Sequence, residues 1–379
     1  MRYISARLWG AALLALLALL ALLALLALPT GCTPSVQSGV GDAAQPTRSG
    51  PLPVITTAQA KQVFERYDQV NATADATMDP DAIRAVQTGV LLKESLAEYQ
   101  LHRRAGIQDR PVHFTRRRFI IPEVRAGADY PRFFAVLSKR KGAEKDRASQ
   151  LHYFVKEKCG GAWKATAATW ALTESLGKPS STDPAPAPTS TAADGTIHIS
   201  FRPKQLPDFH RTASGNAQLS TTATANRSAC ADFAEFLSFS PPNGRTTDDR
   251  FAKGPFTSDL VRFYNGWADD DLYTTLSYKA VGTALPVFRL ANASAFVGCT
   301  LQQNYDETGI GPDGTVSFDK GSDIDLALAG DGRQWRSVDA VSSMTVLIEV
   351  PPGQSSPATV LACDCYDPQL LTATGVGAG

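Results

Sequence analysis

Two stretches decide the fold: Arg132-Phe133-Phe134-Ala135-Val136-Leu137-Ser138-Lys139 and Gln150-Leu151-His152-Tyr153-Phe154-Val155-Lys156-Glu157. Both have strand length and are dense in aromatic and β-branched side chains, which suit a pleated, half-buried surface. Val112 to Ile121 before them and Trp163 to Leu172 after them read the same way. Cys159-Gly160-Gly161 supplies a tight hairpin between the last two strands. The period changes upstream. Thr56 with Gln59 fits a capping box, and Val63, Phe64, Tyr67 and Val70 follow at helical spacing. Asp79-Pro80 sets a capping carboxylate before a proline at a helix start. Ile83, Val86, Leu91, Leu92, Leu96 and Tyr99 continue the helical pattern, with a break expected at Gly89. Helices first and an antiparallel sheet second predict an α+β domain over residues 54–177.

Farther out, Lys178 to Asp194 is a Pro/Ser/Thr-rich stretch of linker composition, containing Pro184-Ala185-Pro186-Ala187-Pro188. Residues 195–366 are then expected to form a second, β-rich α+β domain. It has a helix over Cys230 to Phe239 and strands at Leu272 to Val281, Val287 to Leu290, Ser294 to Gln302, Asp323 to Leu328, Met344 to Val350 and Thr359 to Cys365. Residues 367–379 read as a flexible tail. Formal net charge is zero over the 379 residues, yet residues 54–178 carry +7 and residues 180–379 carry −9. The two halves are electrostatically opposite, and an overall neutral chain is a poor nucleic-acid binder.

The N-terminus sets the address. Arg2 and Arg7 precede an Ala/Leu run from Ala11 to Leu28, closed by Pro29-Thr30-Gly31-Cys32. Charged, apolar and small residues in that order form a secretory signal, and a cysteine directly after Gly31 makes it a lipoprotein signal. Residues 1–31 are therefore expected to be a cleaved signal peptide and Cys32 the lipidated (palmitate-bearing) residue. Residues 32–53 then form a flexible tether. The expected location is the extracytoplasmic face of a bacterial cell membrane.

Several local sequences point to relatives. Ile55-Thr56-Thr57-Ala58-Gln59-Ala60 with Tyr67 and Asn71 on the same helix, Phe119-Ile120-Ile121-Pro122, Gly161-Ala162-Trp163-Lys164 and Gly254-Pro255-Phe256-Thr257 resemble a family of uncharacterised actinobacterial lipoproteins known only as a domain of unknown function. The resemblance covers most of residues 54–366 and implies an extracytoplasmic location; no catalytic residue carries over. The order of elements in the first domain also resembles the cone-shaped fold of nuclear transport factor and ketosteroid isomerase relatives. That fold hosts enzymes and plain binding modules alike.

The chemistry-bearing residues form no decisive constellation. Ser175-Leu176-Gly177-Lys178 has the S-x-x-K spacing of penicillin-binding proteins and Ser214-Gly215-Asn216 resembles their second motif, but Gly177 and Pro179 break the helix such a site needs. The five histidines lack zinc spacing, and the acidic turns around Asp306–Asp313 and Asp319, Asp323 and Asp325 lack calcium-loop spacing. No metal or cofactor is expected. Once Cys32 is lipidated, Cys159, Cys230, Cys299, Cys363 and Cys365 leave one thiol over if the rest pair. Cys363 and Cys365 share a strand face, and either is a candidate partner for Cys299. Tyr67, Asp68, Tyr99 and His152 are the polar residues that a cone-type pocket would use, and His152 alternates with Tyr153, so one of them should face inward.

Basic residues cluster at Arg103-Arg104, Arg116-Arg117-Arg118, Lys139-Arg140-Lys141 and Lys145. Anionic lipid or a cell-wall polymer is the partner such a surface would hold; a protein partner is the other expectation. The reading is of a membrane-anchored, non-catalytic binding or scaffolding module, with a cell-envelope enzyme or small-ligand binder using a first-domain pocket as the alternative.

Overall fold

In a computed structural model, which describes residues 50–125, 127–174, 201–354 and 356–378, the first helix begins where its capping box stands. Thr56 Oγ1 accepts from the Gln59 N–H at 3.2 Å, and Gln59 Oε1 accepts from the Thr56 N–H at 3.2 Å. The helix that follows, α1, spans Thr57–Thr77. Asp79 caps α2 (Pro80–Val86) through the N–H groups of Asp81 and Ala82. The expected break falls at Gly89, the first residue of α3 (Gly89–Ala105). Gly89 has φ +63°, and a Cβ there would stand 2.6 Å from Thr166 Oγ1. Only glycine tolerates both conditions.

Two residues, Leu52–Pro53 (β1), pair with Glu123–Val124 (β3). The first large sheet is antiparallel, with β2 (Phe114–Ile120), β4 (Arg132–Arg140), β5 (Ala148–Lys156) and β6 (Lys164–Leu172) in the order β2-β4-β5-β6. In the second half a helix, α4 (Ser228–Leu237), precedes a π-turn at Pro255–Asp259 that runs into α5 (Leu260–Asn265). Around the long strands β9 (Ala295–Gly309) and β10 (Trp335–Val350) lie β7 (Leu272–Ala280), β8 (Phe288–Arg289), β11 (Thr359–Cys363) and β12 (Gln369–Gly377). These make the second antiparallel sheet, ordered β11-β10-β9-β7 with β12 also on β10 and β8 on β9. The α+β class and the helices-then-sheet order are as the sequence predicts.

Strand alternation builds four layers. Phe134, Val136 and Phe154 face the first helices, packing with Phe64, Tyr67, Ile83 and Tyr99. Their alternates Phe133, Ala135, Leu137, Leu151, Tyr153 and Val155 face Phe288, Phe296, Leu347 and Leu361 of the second sheet. That sheet's far side, with Val297, Leu301, Val346 and Ile348, is covered by Phe233, Leu237, Leu260 and Tyr264 of α4 and α5. The sheets approach closely: a Cβ on Gly298 would stand 2.7 Å from the Tyr153 hydroxyl. The sequence thus forms a helix, sheet, sheet, helix sandwich.

Four expectations need correction. Ser49–Glu157 and Trp163–Gly379 belong to one compact unit rather than to two domains, because the first sheet needs its second face covered and the other half supplies the cover. The linker assigned to residues 178–194 lies outside the described residues. Asp323–Leu328 is a helix, α6, with Ser322 as its cap and acids in its first turn, where the helix dipole favours them. The tail is not flexible: Gln369–Gly377 is β12, held along β10 from Trp335 to Ser343 and packed through Leu370 against Leu101 of α3. Finally, His152 and Tyr153 are both fully buried, because both faces of their sheet are covered. The remaining unit includes Lys158–Ala162, a turn closed by the Gly161 N–H on the Lys158 carbonyl at 3.1 Å.

Candidate functional site

The pocket residues named from sequence come from α1, α3 and β5, and the fold uses each of them structurally. His152 sits on the helix-facing side of β5 with its ring centroid 4.8 Å from Phe114, 5.4 Å from Phe64 and 5.5 Å from Tyr67. Neither ring nitrogen has a hydrogen-bond partner, and burial pushes its pKa down to about 3. It is a neutral imidazole in an aromatic box. Tyr67 is buried beside it, its hydroxyl pushed up by desolvation and by the Asp75 carboxylate. Asp68 is engaged elsewhere: its carboxylate accepts the Phe114 N–H at 3.0 Å and lies 3.2 Å from Arg117 Nη2 and 3.6 Å from His113 Nδ1. It fastens α1 to the start of β2.

Tyr99 belongs to a separate polar network between the helices. Its hydroxyl donates to Asp75 Oδ1 at 2.6 Å, and Asn71 Nδ2 donates to Asp75 Oδ2 at 2.6 Å. Gln87 Nε2 donates to Asn71 Oδ1 at 2.7 Å, and Ser95 donates to Gln87 Oε1 at 2.9 Å. Desolvation raises Asp75 to about 6 against the opposing Tyr99 hydrogen bond, and raises Glu98 to about 7 against the pull of His102. The acidic line continues where α3 meets the second sheet. Glu94 Oε1 accepts from Ser343 at 2.6 Å, and Asp364 Oδ1 accepts from Thr169 at 2.8 Å. Burial lifts the Glu94 carboxyl, and it lifts Asp364 to about 7 with Glu94 pushing the same way.

Sequence reading missed Asp75, Glu94, Glu98 and Asp364. The available signal was spacing: Asn71 and Asp75 on one helix, and Glu94 and Glu98 on another, stand four apart on one face. Asp364 comes into range only through the chain's fold.

Other sequence candidates also resolve into structure. Ser175-Leu176-Gly177-Lys178 lies outside the described residues, while Ser214, Thr212 and Asn216 all hydrogen-bond the Glu123 carboxylate. Asp325 accepts the N–H groups of Gly321 and Gly332, closing its own loop. Most of the basic cluster is engaged: Arg104 caps α6 through the Leu326 and Ala327 carbonyls, Arg117 pairs with Asp68, Arg118 with Asp208 and Lys139 with Glu174. Arg140, Lys141 and Lys145 remain exposed.

Cys299, Cys363 and Cys365 all lie in disulfides. Cys299 pairs with Cys230 of α4, with Cα atoms 5.7 Å apart, and Cys363 pairs with Cys365. The register explains why Cys299 does not pair with Cys363. Both stand opposite Val346 of β10, on its two sides, and so lie two strand spacings or about 9.5 Å apart. That exceeds the reach of a disulfide, about 7 Å between Cα atoms. Cys159 is disulfide-bonded as well, so no thiol is left over among the described residues.

An open groove lies on this half, at the mouth of the face whose interior His152 fills. About 410 Å³ in volume, it is lined by Gln59 and Gln62 of α1 and by Tyr130, Arg132, Lys156 and Trp163.

Residues 51–182 match a family model described as a domain of unknown function (DUF8094). The match takes in the first helices and the first sheet, and the Gly254-Pro255-Phe256-Thr257 segment lies beyond it. No curated protein and no solved structure matches the chain. Among the described residues no helix is long and apolar enough to cross a membrane; the Ala11 to Leu28 run lies outside them.

Proposed function

We propose that the chain is an exported bacterial lipoprotein of the actinobacterial family it resembles, anchored through lipid on Cys32 at the extracytoplasmic face of the cell membrane. There its folded unit serves as a non-catalytic binding or scaffolding module. The order Arg2, Arg7, Ala11 to Leu28 and Pro29-Thr30-Gly31-Cys32 carries the address. The aromatic box around His152 supports a module over an enzyme, because a general base must reach its substrate within hydrogen-bond distance. Asp75, though raised toward neutral pH, is held by Asn71 and Tyr99 in a network that ties α1 to α3.

Labelled palmitate fed to cells expressing the chain tests the anchor. The expected result is label on the mature protein, lost in Cys32→Ser together with retention in the membrane fraction. Digestion without reductant supplies the opposing outcome. A Cys32 peptide joined to Cys159 by a disulfide, with no lipid on either, would remove the anchor and leave only export.

A further inference from the structure

The groove at the mouth of the first sheet has a charge pattern that its own fold does not neutralise. Arg132 and Lys156 are directly opposed across β4 and β5, on the helix-facing side, one row beyond the stacked Phe134 and Phe154 rings. Like charges in such a cross-strand pair repel. No carboxylate lines the groove, and neither residue has an ion-pair partner among the described residues. Arg132 is restrained: its guanidinium lies 4.7 Å from the Tyr130 ring centroid and Nη2 donates to the Ala128 carbonyl at 2.9 Å. Its Nε is buried without a hydrogen-bond partner, a state that a bound water, ion or ligand would relieve. The Lys156 ammonium has no protein partner at all among the described residues.

The rest of the lining suits an anion with a flat or apolar body. Trp163 is fixed edge-on against Phe134 at 5.0 Å, and Val54, Ile55 and Val63 give the groove an apolar side. Gln59 spends its carbonyl oxygen on Thr56, leaving its amide N–H groups without a partner among the described residues. The first turns of α1 run along the groove with no acidic residue in them, so the helix dipole adds to the positive potential. The volume lies within the range of small-molecule sites, roughly 300–1,000 Å³.

We propose that this groove binds a small anionic ligand, with a phosphate or carboxylate group between Arg132 and Lys156 and a ring or apolar portion against Trp163. Binding here deepens the module reading by naming a ligand class, and it does not depend on the lipid at Cys32. Guanidinium and ammonium donors hold both anion types, so the shared chemistry is the anion.

The test is calorimetric titration of the full-length protein in non-ionic detergent with phenyl phosphate, benzoate and phenol. The expected result is saturable binding of at least one anion at about 1 mM or below, with none for phenol. Tighter binding of phenyl phosphate assigns a phosphorylated ligand, and tighter benzoate binding a carboxylate. Lys156→Glu should weaken binding by at least about tenfold, while Lys141→Glu, a charge reversal on an exposed site elsewhere, should leave it unchanged. Arg132→Gln should abolish binding, and Lys156→Gln gives an intermediate loss if the arginine variant does not fold. Equal binding of phenol, no saturable binding of either anion to the intact protein, or equal losses in Lys156→Glu and Lys141→Glu would each overturn the proposal. Failure here leaves palmitate labelling at Cys32 untouched, so the two readings fail separately.

Discussion

The two helical layers of the sandwich do the same job with different materials. Over the second sheet, α4 and α5 pack Phe233, Phe236, Leu237, Leu260 and Val261 on Val297, Val346 and Ile348, and the Cys230–Cys299 disulfide staples α4 to β9. Over the first sheet, α1 to α3 bury as many aromatic rings but thread polar groups between them, from Asn71 and Gln87 to the raised carboxylates Asp75 and Glu94. Burial of apolar surface stabilises both layers at roughly 25 cal/mol per Å². What differs is the response to conditions. The stapled layer should answer to reductant and the laced layer to pH.

The largest expected effect breaks the staple. Removing the disulfide by Cys230→Ser with Cys299→Ser frees a loop with a sequence separation of 69 in the unfolded chain. The chain-entropy model puts that at about 4 kcal/mol. Unfolding in urea should show the loss in full at both acid and neutral pH, since no titrating group is touched. A variant that loses nothing would mean the apolar layer alone fixes α4, and the contrast would then rest on pH alone.

Proton linkage comes next. Asp364 is raised to about 7 by burial, whereas an unfolded aspartate titrates near its ordinary value of about 4. Between those values the folded state holds more protons than the unfolded state, so stability falls as pH rises through the window. The fall is at most about 1.4 kcal/mol per pH unit for one group, and remaining water contact at Asp364 brings the total to about 2–3 kcal/mol. Glu94, Glu98 and Asp75 titrate in the same direction. Asp364→Asn keeps an acceptor for Thr169 and should flatten the decline in melting temperature between about pH 5 and about pH 8. An unchanged slope would show that Asp364 ionises in the folded protein as easily as in the unfolded one.

The same contrast explains how much could be read from sequence. The caps at Thr56 and Asp79, the break at Gly89 and the four strands of the first sheet are local signals, each written within a few residues of where it acts. Two-sided coverage of that sheet was also present in the consecutive apolar residues 133–137 and 153–155, though those runs do not say what covers them. The acidic line is different in kind. Glu94 and Asp364 lie at opposite ends of the folded sequence and become neighbours through α3, β6 and β10. Spacing carries no trace of such a meeting. β12 was missed for a related reason: Gln369–Gly377 is small and glycine-containing, and it becomes a strand because β10 is long enough to pair with both β11 and β12. The Arg132 and Lys156 pairing likewise needs the register of β4 on β5.

The smallest expected effect at neutral pH sharpens the reading of His152. A neutral, fully buried imidazole with a pKa near 3 titrates against the carboxylates: its unfolded form, with a pKa of about 6.5, takes up a proton that the folded form refuses. Its contribution is therefore present above about pH 6.5 and is lost as pH falls toward 3. At pH 5 the unfolded chain gains about 2 kcal/mol from protonating this one residue. His152→Leu removes that gain and two unpartnered ring nitrogens together. The variant should be more stable than the parent at both pH values, by about 1 kcal/mol at pH 8 and about 2 kcal/mol more at pH 5. Melting curves at the two values measure the difference directly. Binding in the groove is expected to survive, because Phe64, Tyr67 and Phe114 enclose His152 below the row occupied by Arg132 and Lys156. Loss of anion binding in His152→Leu, with the fold intact, would put the imidazole in contact with the ligand and make the aromatic box part of the site rather than its floor.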